Sequence, residues 1–474
     1  MATDRQNRPN EQSQATRPNP DALKLLSSMI HDFQHLIDPE QRTTTKMVYT
    51  NGVVLWALVL QRLGGGLSLS EVVSQLLHHD RDLLPDNRRV REHTLSEDSS
   101  AYSQGRKRLP LQTLLGFSRG VCDQLAERSP KLIDNRRVFL LDGTTITLAP
   151  TPELQKAYPP ATNQFGETVW PIAQLLVANE LQSGCALLPQ VDPMYGENNA
   201  SEAVQAGRIV SELPANSIVM ADSGFGIYRV AHDTTRAGHD FLFRLTRSRF
   251  KPMRRKAVLI AEGQGFKTYH LLWRPSVKDR KGLPELPAEA SLDVVLHEVD
   301  ITDANGRHET LWLVTNLALD GPTCGALYYR RYEVEFDIRD FKVTLDAENI
   351  RAKSVEMFQK ELYASVVAYN LVMQFRRQAA RLAQVDPRRL SFKGVWTCLK
   401  NRLLLQPSCS FEEWQIRYAA ALHAASQQKH PQRKSPRSYP RKAHPRRPKT
   451  TKFIKSERKK KQTEDPPTPQ LATK

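Results

Sequence analysis

The chain has 474 residues, of which 40% are apolar and 7% aromatic. The length is enough for about two or three domains, or for one domain with large insertions. The composition excludes a wholly disordered protein and a disulfide-stapled mini-domain. Five widely separated cysteines indicate free thiols in a reducing compartment and offer no zinc-binding spacing. The longest apolar run, Val53–Leu60, is too short to span a bilayer, and residues 1–20 lack the apolar segment of a signal peptide. We therefore expect a soluble, intracellular protein.

The formal net charge of +17 is unevenly distributed along the chain. Residues 429–461 contain fifteen Lys or Arg and one acid, Glu457, so this stretch carries +14, whereas residues 1–428 carry only +4. A proline-rich polycation cannot build a core and typically binds polyanions without reading their sequence. The charge density favours nonspecific nucleic-acid binding over the alternative, a merely solubilising tail.

A helical pattern extends from about residue 21 to residue 128. Residues 47–63 predict one helix that ends at three consecutive glycines, and Ser68 with Glu71 predicts the capping box of the next. Two helices joined by such a turn can read DNA, although ordinary helix packing gives the same pattern. A further helix over 101–109 carries the basic cluster Arg106–Arg108, which would either meet phosphates or form a solvated face.

Two aspartates share one context in the middle of the chain. Asp142 follows the apolar run Val138–Leu141, and Asp222 follows the apolar run Ile218–Ala221. The surrounding alternation of strand and helix patterns predicts an α/β layer, in which ligands bind beyond the ends of buried strands. A single aspartate followed by a small residue is more often a turn former, but two in the same setting favour a site.

The region that follows is rich in predicted strands. Between residues 246 and 322 four strand-like segments are separated by turns, which indicates a β-rich insertion. Helical patterns resume at Gly325, with a long helix over 354–382 and a short one over 407–425.

A third group of polar residues lies just after this insertion. Tyr328, Arg331, Glu335 and Lys342 fall within about one sixth of the circumference of a helix. The alternative to a functional site is an ordinary salt bridge between Arg331 and Glu335 on a solvated helix face. This alternative does not explain why Lys342 and Tyr328 lie on the same narrow stripe. The adjoining apolar face is predicted to pack inward; it comprises Leu327, Val334, Ile338, Phe341 and Leu345.

These acids together predict a metal-dependent site. Two aspartates on adjacent strands and one glutamate on a nearby helix offer the hard oxygen ligands that Mg²⁺ prefers. Two such ions activate the attacking oxygen and stabilise the leaving oxygen of an in-line displacement. The basic neighbours would hold a negatively charged phosphodiester, so the charges fit chemistry on a nucleic-acid backbone.

The spacing Tyr328-x₂-Arg331-x₃-Glu335-x₆-Lys342 matches the Tyr-Arg-Glu-Lys signature of the IS4 family of bacterial insertion-sequence transposases. Further segments resemble other motifs of that family; they are Asp142-Gly143-Thr144, Ala221-Asp222-Ser223-Gly224-Phe225, the stretch SAYSQGRKRL at 100–109 and Tyr369-Asn370-Leu371. The resemblance covers about residues 45–385. One departure is Ser223, which stands where many members carry Arg, so a backbone-contacting cation would be missing.

The resemblance implies an RNase H-like fold and roles for particular residues. Asp142, Asp222 and Glu335 would be the catalytic, metal-binding triad, with Mg²⁺ as cofactor and Mn²⁺ as a substitute. The DNA contacts near the scissile phosphate would come from Tyr328, Arg331, Lys342 and the strand-end Arg244. An aromatic of the insertion would stack on a flipped base, and Trp273 and Trp312 are the candidates, with core packing as the alternative for each.

By this resemblance the protein would be a DDE transposase that cleaves double-stranded DNA at terminal inverted repeats and transfers the 3′-hydroxyls to target DNA. It would act as a homodimer on paired ends, away from membranes, in the bacterial cytoplasm at the nucleoid. Two alternatives stay open: a domesticated, non-catalytic DNA-binding protein, and an RNase H-like nuclease that cannot join strands.

The predicted fold class is α/β, an RNase H-like catalytic core interrupted by a β-rich insertion. The predicted divisions are a disordered start (1–20), an N-terminal helical DNA-binding domain (21–130), the first part of the core (131–246), the insertion (247–324), the second part with the glutamate helix (325–385), a C-terminal helical region (386–428) and a disordered basic tail (429–474).

Overall fold

The computed structural model describes residues 47–163, 166–302, 308–406 and 409–431. The predicted disordered start and all but the first residues of the predicted tail lie outside these ranges. The helices are α1 (Asn51–Leu63), α2 (Leu69–His78), α3 (Arg88–Arg91), α4 (Ser100–Arg108), α5 (Leu111–Glu127), α6 (Pro152–Ala157), α7 (Glu202–Val210), α8 (Tyr228–Arg236), α9 (Arg247–Arg254), α10 (Val277–Gly282), α11 (Gly321–Tyr329), α12 (Glu333–Arg339), α13 (Val355–Leu382), α14 (Phe392–Leu399) and α15 (Phe411–Ser426). None of these helices has the length and apolar character needed to cross a membrane.

The strands form one mixed sheet. They are β1 (Val138–Thr147), β2 (Pro160–Asn163), β3 (Gly166–Glu180), β4 (Gln190–Pro193), β5 (Ile218–Ala221), β6 (Asp240–Arg244), β7 (Val258–Gly263), β8 (Phe266–Trp273), β9 (Leu292–Thr302) and β10 (His308–Thr315). Their order is β2-β3-β1-β5-β6-β10-β9-β8-β7, with β4 paired to β3. Strands β1, β5 and β6 are parallel to one another, and β10 is antiparallel to β6. The four strands of the predicted insertion therefore continue the central sheet.

Strand β1 is longer than the sequence pattern predicts. The expectation that it ends before Asp142-Gly143 is wrong, because its residues pair with β3 from Phe139 as far as Thr147. The run from Thr144 to Thr147 is β-branched throughout and fits a pleated, half-buried surface. Asp142 thus lies within a strand, whereas Asp222 directly follows one, as predicted.

Alternating residues of the central strands supply two apolar layers. Phe139 and Leu141 of β1 belong to the larger core, which also contains residues of α7 and α13. Val138 and Leu140 belong to a second core on the other face, together with Leu327 and Val334. The sheet is therefore covered on both faces, and the helical segment that carries the Tyr-Arg-Glu-Lys signature contributes to the second core.

The N-terminal helices pack against the long helix α13. Ten of the thirteen residues of α1 are buried, which is the pattern of a core helix. The carboxylate of Glu361 on α13 accepts from Arg62 at 2.6 Å and from Arg106 at 2.5 Å. The predicted capping box of α2 is present, but the burial of α1 favours ordinary helix packing over a DNA-reading pair. The two expectations for Arg106, a phosphate contact or a solvated cation, are both wrong because this side chain is buried in an ion pair.

The signature residues lie on one continuous helical segment. Helix α11 passes through a 3₁₀ turn at 330–332 into α12, and α12 ends in a π turn at 340–344. The predicted apolar face is confirmed, since its residues are buried or, for Ile338, packed against the second core. The predicted long helix is α13, which is capped by Ser354.

Candidate active site

Strand register brings the two predicted aspartates together. Leu141 lies opposite Ala221 in the parallel pair of β1 and β5, so Asp142 and Asp222 are the next residues on adjacent strands. One carboxylate oxygen of Asp222 accepts a hydrogen bond from the Gly224 amide at 2.8 Å, and one of Asp142 accepts from the Gly143 amide at 2.9 Å. Both side chains are thereby held at the same edge of the sheet.

Glu335 reaches this edge from the second layer. It lies in the first turn of α12, which packs against β1, and about half of its side chain is exposed. Burial raises the pKa of Asp142 to about 6, and the negative charges of Asp222 and Glu335 act in the same direction. The Asp142 carboxylate is therefore close enough to the other two acids to be affected by their charges.

Arg331 lies between two of these acids. One guanidinium nitrogen, Nη2, is 2.9 Å from Oε1 of Glu335, and the other, Nη1, is 3.8 Å from Oδ2 of Asp142. Only 10% of the arginine side chain is exposed, so the predicted salt bridge from Arg331 to Glu335 exists but is not on a solvated face. The same guanidinium lies over the Tyr332 ring, 4.9 Å from its centre.

Lys342 points back to the strand that carries Asp142. Its ammonium donates to the carbonyl oxygen of Thr145 at 2.7 Å and to the hydroxyl of Thr144 at 3.3 Å. These bonds connect the π turn after α12 with β1. The lysine therefore stands beside the candidate site and also holds the glutamate segment against the sheet.

Tyr328 and Arg244 border the same site from two directions. Tyr328 is 3% exposed, and its hydroxyl has no hydrogen-bond partner among the described residues. Burial raises the pKa of Tyr328 far above its usual value. The positive charges of Arg331 and Arg244 oppose this shift in pKa, and the negative charge of Asp222 adds to it. Arg244 ends β6 and forms an ion pair with Glu309 of β10, as a strand-end cation would.

The two tryptophans of the predicted insertion are both packed against other aromatic side chains. Trp273 meets Tyr228 edge-on with ring centres 5.5 Å apart, and Trp312 lies 6.2 Å from Phe250. Both belong to the periphery of the larger core. This packing favours the structural role over base stacking for each of them.

A cation does reach Ser223, the position where many IS4-family members carry Arg. Arg249 of α9 donates to the backbone carbonyl of Ser223 at 2.5 Å and, at 3.4 Å, to that of Gly226. Sequence reasoning missed this approach because Arg249 is one of several cations in and just after α9. Only the three-dimensional packing of α9 singles it out.

Glu202, the first residue of α7, is a further acid at this edge that the sequence analysis missed. Its carboxylate lies against Gly143, the residue after Asp142. Burial raises the pKa of Glu202, and the charge of Asp222 adds to this shift. In the sequence an acid at the start of a helix is indistinguishable from one that interacts with the helix dipole, so no local signal could have found it.

The donor chemistry of this edge fits a divalent cation. Asp142, Asp222 and Glu335 supply only carboxylate oxygens, the ligands of hard ions such as Mg²⁺. In the conformation of the described ranges, no three Asp, Glu, His or Cys side chains are arranged to hold a metal ion among them. The Arg331 guanidinium lies between Asp142 and Glu335 and supplies positive charge where these two carboxylates would otherwise repel each other.

Comparison with known proteins identifies the family of the chain. A sequence profile of the transposase DDE domain family matches residues 134–371, a range that includes all three acids and the whole signature. The chain belongs to this transposase DDE domain family. A similar curated protein is Transposase InsG for insertion sequence element IS4 of Escherichia coli (strain K12), which is 25% identical over 276 residues. The match spans 57% of the chain and 57% of that relative. The prediction that the chain is a member of a DDE transposase family is thus confirmed.

Proposed function

We propose that this protein is a DNA transposase that cleaves at the terminal inverted repeats of an insertion sequence and transfers the 3′-hydroxyl ends to target DNA. The observation that carries the proposal is the register of Leu141 with Ala221, which puts Asp142 and Asp222 side by side at the edge that Glu335 also reaches. The match to the transposase DDE domain over half of the chain supports it.

Asp142, Asp222 and Glu335 would hold Mg²⁺, with Mn²⁺ as a substitute. Bound divalent cations supply activation of the attacking oxygen and stabilisation of the leaving oxygen in an in-line displacement at phosphorus. For this, the Glu335 carboxylate must separate from the Arg331 guanidinium, which it contacts at 2.9 Å. Its half-exposed side chain is free to turn within the site.

Once it is separated from Glu335, the Arg331 guanidinium would be able to bind a DNA phosphate. A planar guanidinium fork donates two parallel hydrogen bonds to a phosphate, and its charge strengthens both of them. Arg331 would bind the phosphate at the transposon end, with Lys342 and the unpartnered hydroxyl of Tyr328 beside it. For Arg244 we propose a smaller contribution to DNA binding, because its charge is already neutralised by the ion pair with Glu309.

The DNA partners in this proposal are the inverted-repeat ends and the target duplex. Joining two ends of one element requires two active sites, so we expect a homodimer on paired ends. The fold is proposed to be RNase H-like, with strands β7 to β10 as the insertion between β6 and the glutamate segment. The DNA substrate places the activity at the bacterial nucleoid, in the cytoplasm.

The test uses the full chain and the DNA that flanks its gene. Terminal inverted repeats should bracket the gene, and duplexes that end in these repeats should be cut at the repeat boundary in Mg²⁺ and joined to a second duplex. Cleavage of arbitrary duplexes without joining would identify the nuclease alternative. Specific binding without cleavage, unchanged by Asp222→Asn, would identify the non-catalytic DNA-binding alternative.

A further inference from the structure

The Glu202 carboxylate occupies the space in which a side chain at position 143 would lie. A Cβ atom on Gly143 would overlap an oxygen of the Glu202 carboxylate and lie 2.9 Å from its Cδ. Gly143 belongs to the continuous strand β1, so a turn does not require the glycine here. In the observed position of the Glu202 carboxylate a Cβ atom at residue 143 would not fit, so a larger residue there would displace the carboxylate from this place.

The same carboxylate also borders Asp222. A Cβ atom on Gly224 would lie 3.0 Å from Oδ1 of Asp222 and 4.0 Å from Oε2 of Glu202, so both carboxylates adjoin one glycine. The Glu202 carboxylate therefore lies between two segments. One is Gly143, which follows Asp142, and the other is the turn that begins at Asp222. It approaches from α7, on the opposite layer from the Glu335 helix.

The charges of Glu202 and Asp222 are not balanced by a cation. Neither residue forms an ion pair within the described ranges; Glu202 is hydrogen-bonded by the Gln174 side chain, and Asp222 accepts from the Gly224 amide. Two carboxylates that both adjoin Gly224 carry like charges that repel each other. A cation bound between them would remove this cost.

We propose that Glu202 is a fourth carboxylate of the active site, a hard oxygen ligand that faces the divalent cation beside Asp222. This inference rests on the proposed function, which assigns the metal to Asp142, Asp222 and Glu335. It adds a residue from α7, so that acids from both layers surround the sheet edge.

A plain structural role for Glu202 makes a different prediction. An acid in the first turn of a helix stabilises the helix through its favourable interaction with the helix dipole. The N-cap residue of α7, Ser201, makes no side-chain capping bond, so the helix would depend on Glu202 for this stabilisation. If that were its role, Glu202→Gln would lower the melting temperature equally with and without metal. As a metal ligand, Glu202→Gln should leave the metal-free protein as stable as the wild type, or more so, because a like-charge repulsion is removed.

The experiment titrates Mn²⁺ into the full chain without DNA and follows both the melting temperature and the free Mn²⁺ signal in electron paramagnetic resonance. Four proteins are compared: the wild type, Glu202→Gln, Asp222→Asn and the control Glu212→Gln. Glu212 follows the same helix and pairs with Arg119 at 3.4 Å, away from the aspartates. The control should match the wild type, and Glu202→Gln should need about 10- to 100-fold more Mn²⁺ for half-saturation.

The outcomes separate this inference from the proposed function. A wild-type midpoint for Glu202→Gln, together with a shifted midpoint for Asp222→Asn, would overturn the role of Glu202 and leave the proposed function intact. An unchanged midpoint for Asp222→Asn, or no Mn²⁺ binding by the wild type, would contradict the metal site and Glu202 along with it. A shift for both variants but not for Glu212→Gln is the result that we expect.

Discussion

The guanidinium of Arg331 lies 2.9 Å from the carboxylate of Glu335, and nine tenths of the arginine side chain is shielded from water. The second nitrogen of the fork faces Asp142 at 3.8 Å. Arg331 thus neutralises two of the three acids that are proposed to bind metal, and the same cation is proposed to bind the DNA phosphate. In the proposed mechanism, substrate and metal would replace its pairing with Glu335.

Arg331→Lys tests this arrangement because it keeps the charge and removes the planar fork. We expect cleavage at the transposon end to fall by about tenfold or more, since a hydrogen bond to a charged group contributes about 1.5–3 kcal/mol. The melting temperature should change little, because the lysine still pairs with Glu335. Cleavage of a prenicked end substrate, measured beside a thermal melt, gives both values.

The matched control is Arg339→Lys, on the same helical segment. The Arg339 side chain is 58% exposed and lies over the ring of Phe336, outside the cluster of acids. It should retain wild-type cleavage. Full cleavage activity in Arg331→Lys and also in Arg331→Ala would reduce the contact with Glu335 to a structural ion pair.

Lys342→Met tests the connection between the glutamate segment and β1. Methionine keeps most of the aliphatic stem but cannot donate to the Thr145 carbonyl or the Thr144 hydroxyl. We expect the free energy of unfolding to fall by about 1.5–3 kcal/mol, and cleavage to fall as well, because Glu335 loses part of its anchoring. Denaturant unfolding measures the first effect. Unchanged stability with lost cleavage would assign the lysine to DNA alone.

Glu361→Gln tests the ion-pair triad that holds the N-terminal helices on α13. The change removes the counter-charge that the buried Arg62 and Arg106 share, so we expect a loss of about 3–5 kcal/mol in the free energy of unfolding. The control Glu413→Gln breaks a pair with Arg417 in which the glutamate is half exposed, and it should cost about 0–1 kcal/mol. Equal effects of the two changes would contradict the buried triad.

The sequence predicted most of the elements because their signals are local. The apolar face of the signature helix, the capping box at Ser68 and the long helix α13 follow from periodicity and from side-chain chemistry within one or two turns. The apolar runs before Asp142 and Asp222 and the polar stripe around Glu335 pointed to the acids, and the resemblance implied their roles. The strand register explains why the two aspartates lie side by side. The extension of β1 to Thr147 was missed because a long-range pairing with β3 overrides a local turn signal.

Contacts between distant segments were beyond local reasoning. Arg106 looked like part of a basic surface cluster, yet its partner Glu361 is 255 residues away. Glu202 looked like a helix-dipole acid, and only the packing of α7 on β3 and β4 places it against Gly143. Such pairs depend on tertiary packing, which no window of the sequence contains.

The basic tail is a prediction from charge alone. Residues 432–474 carry fifteen Lys or Arg against three acids, and deleting them keeps the described pairing of Leu390 with Lys429. We expect weaker binding to any duplex and a flatter salt dependence, because each lost phosphate contact removes about 0.9 from the log–log slope. Filter binding at several salt concentrations measures this. The preference for inverted-repeat ends over random DNA should survive; its loss would show that the tail reads sequence.

The central claim is that Asp142, Asp222 and Glu335 form one catalytic, metal-binding site, and Asp222→Asn tests it most directly. The amide keeps the shape of the side chain and can still accept the hydrogen bond of the Gly224 amide, but it removes the charge that a divalent cation needs. Cleavage of an inverted-repeat end and binding to it should be measured on the same preparation in Mg²⁺. The account predicts that cleavage collapses while end binding and the melting temperature persist. Cleavage by Asp222→Asn at a rate near that of the wild type would contradict it.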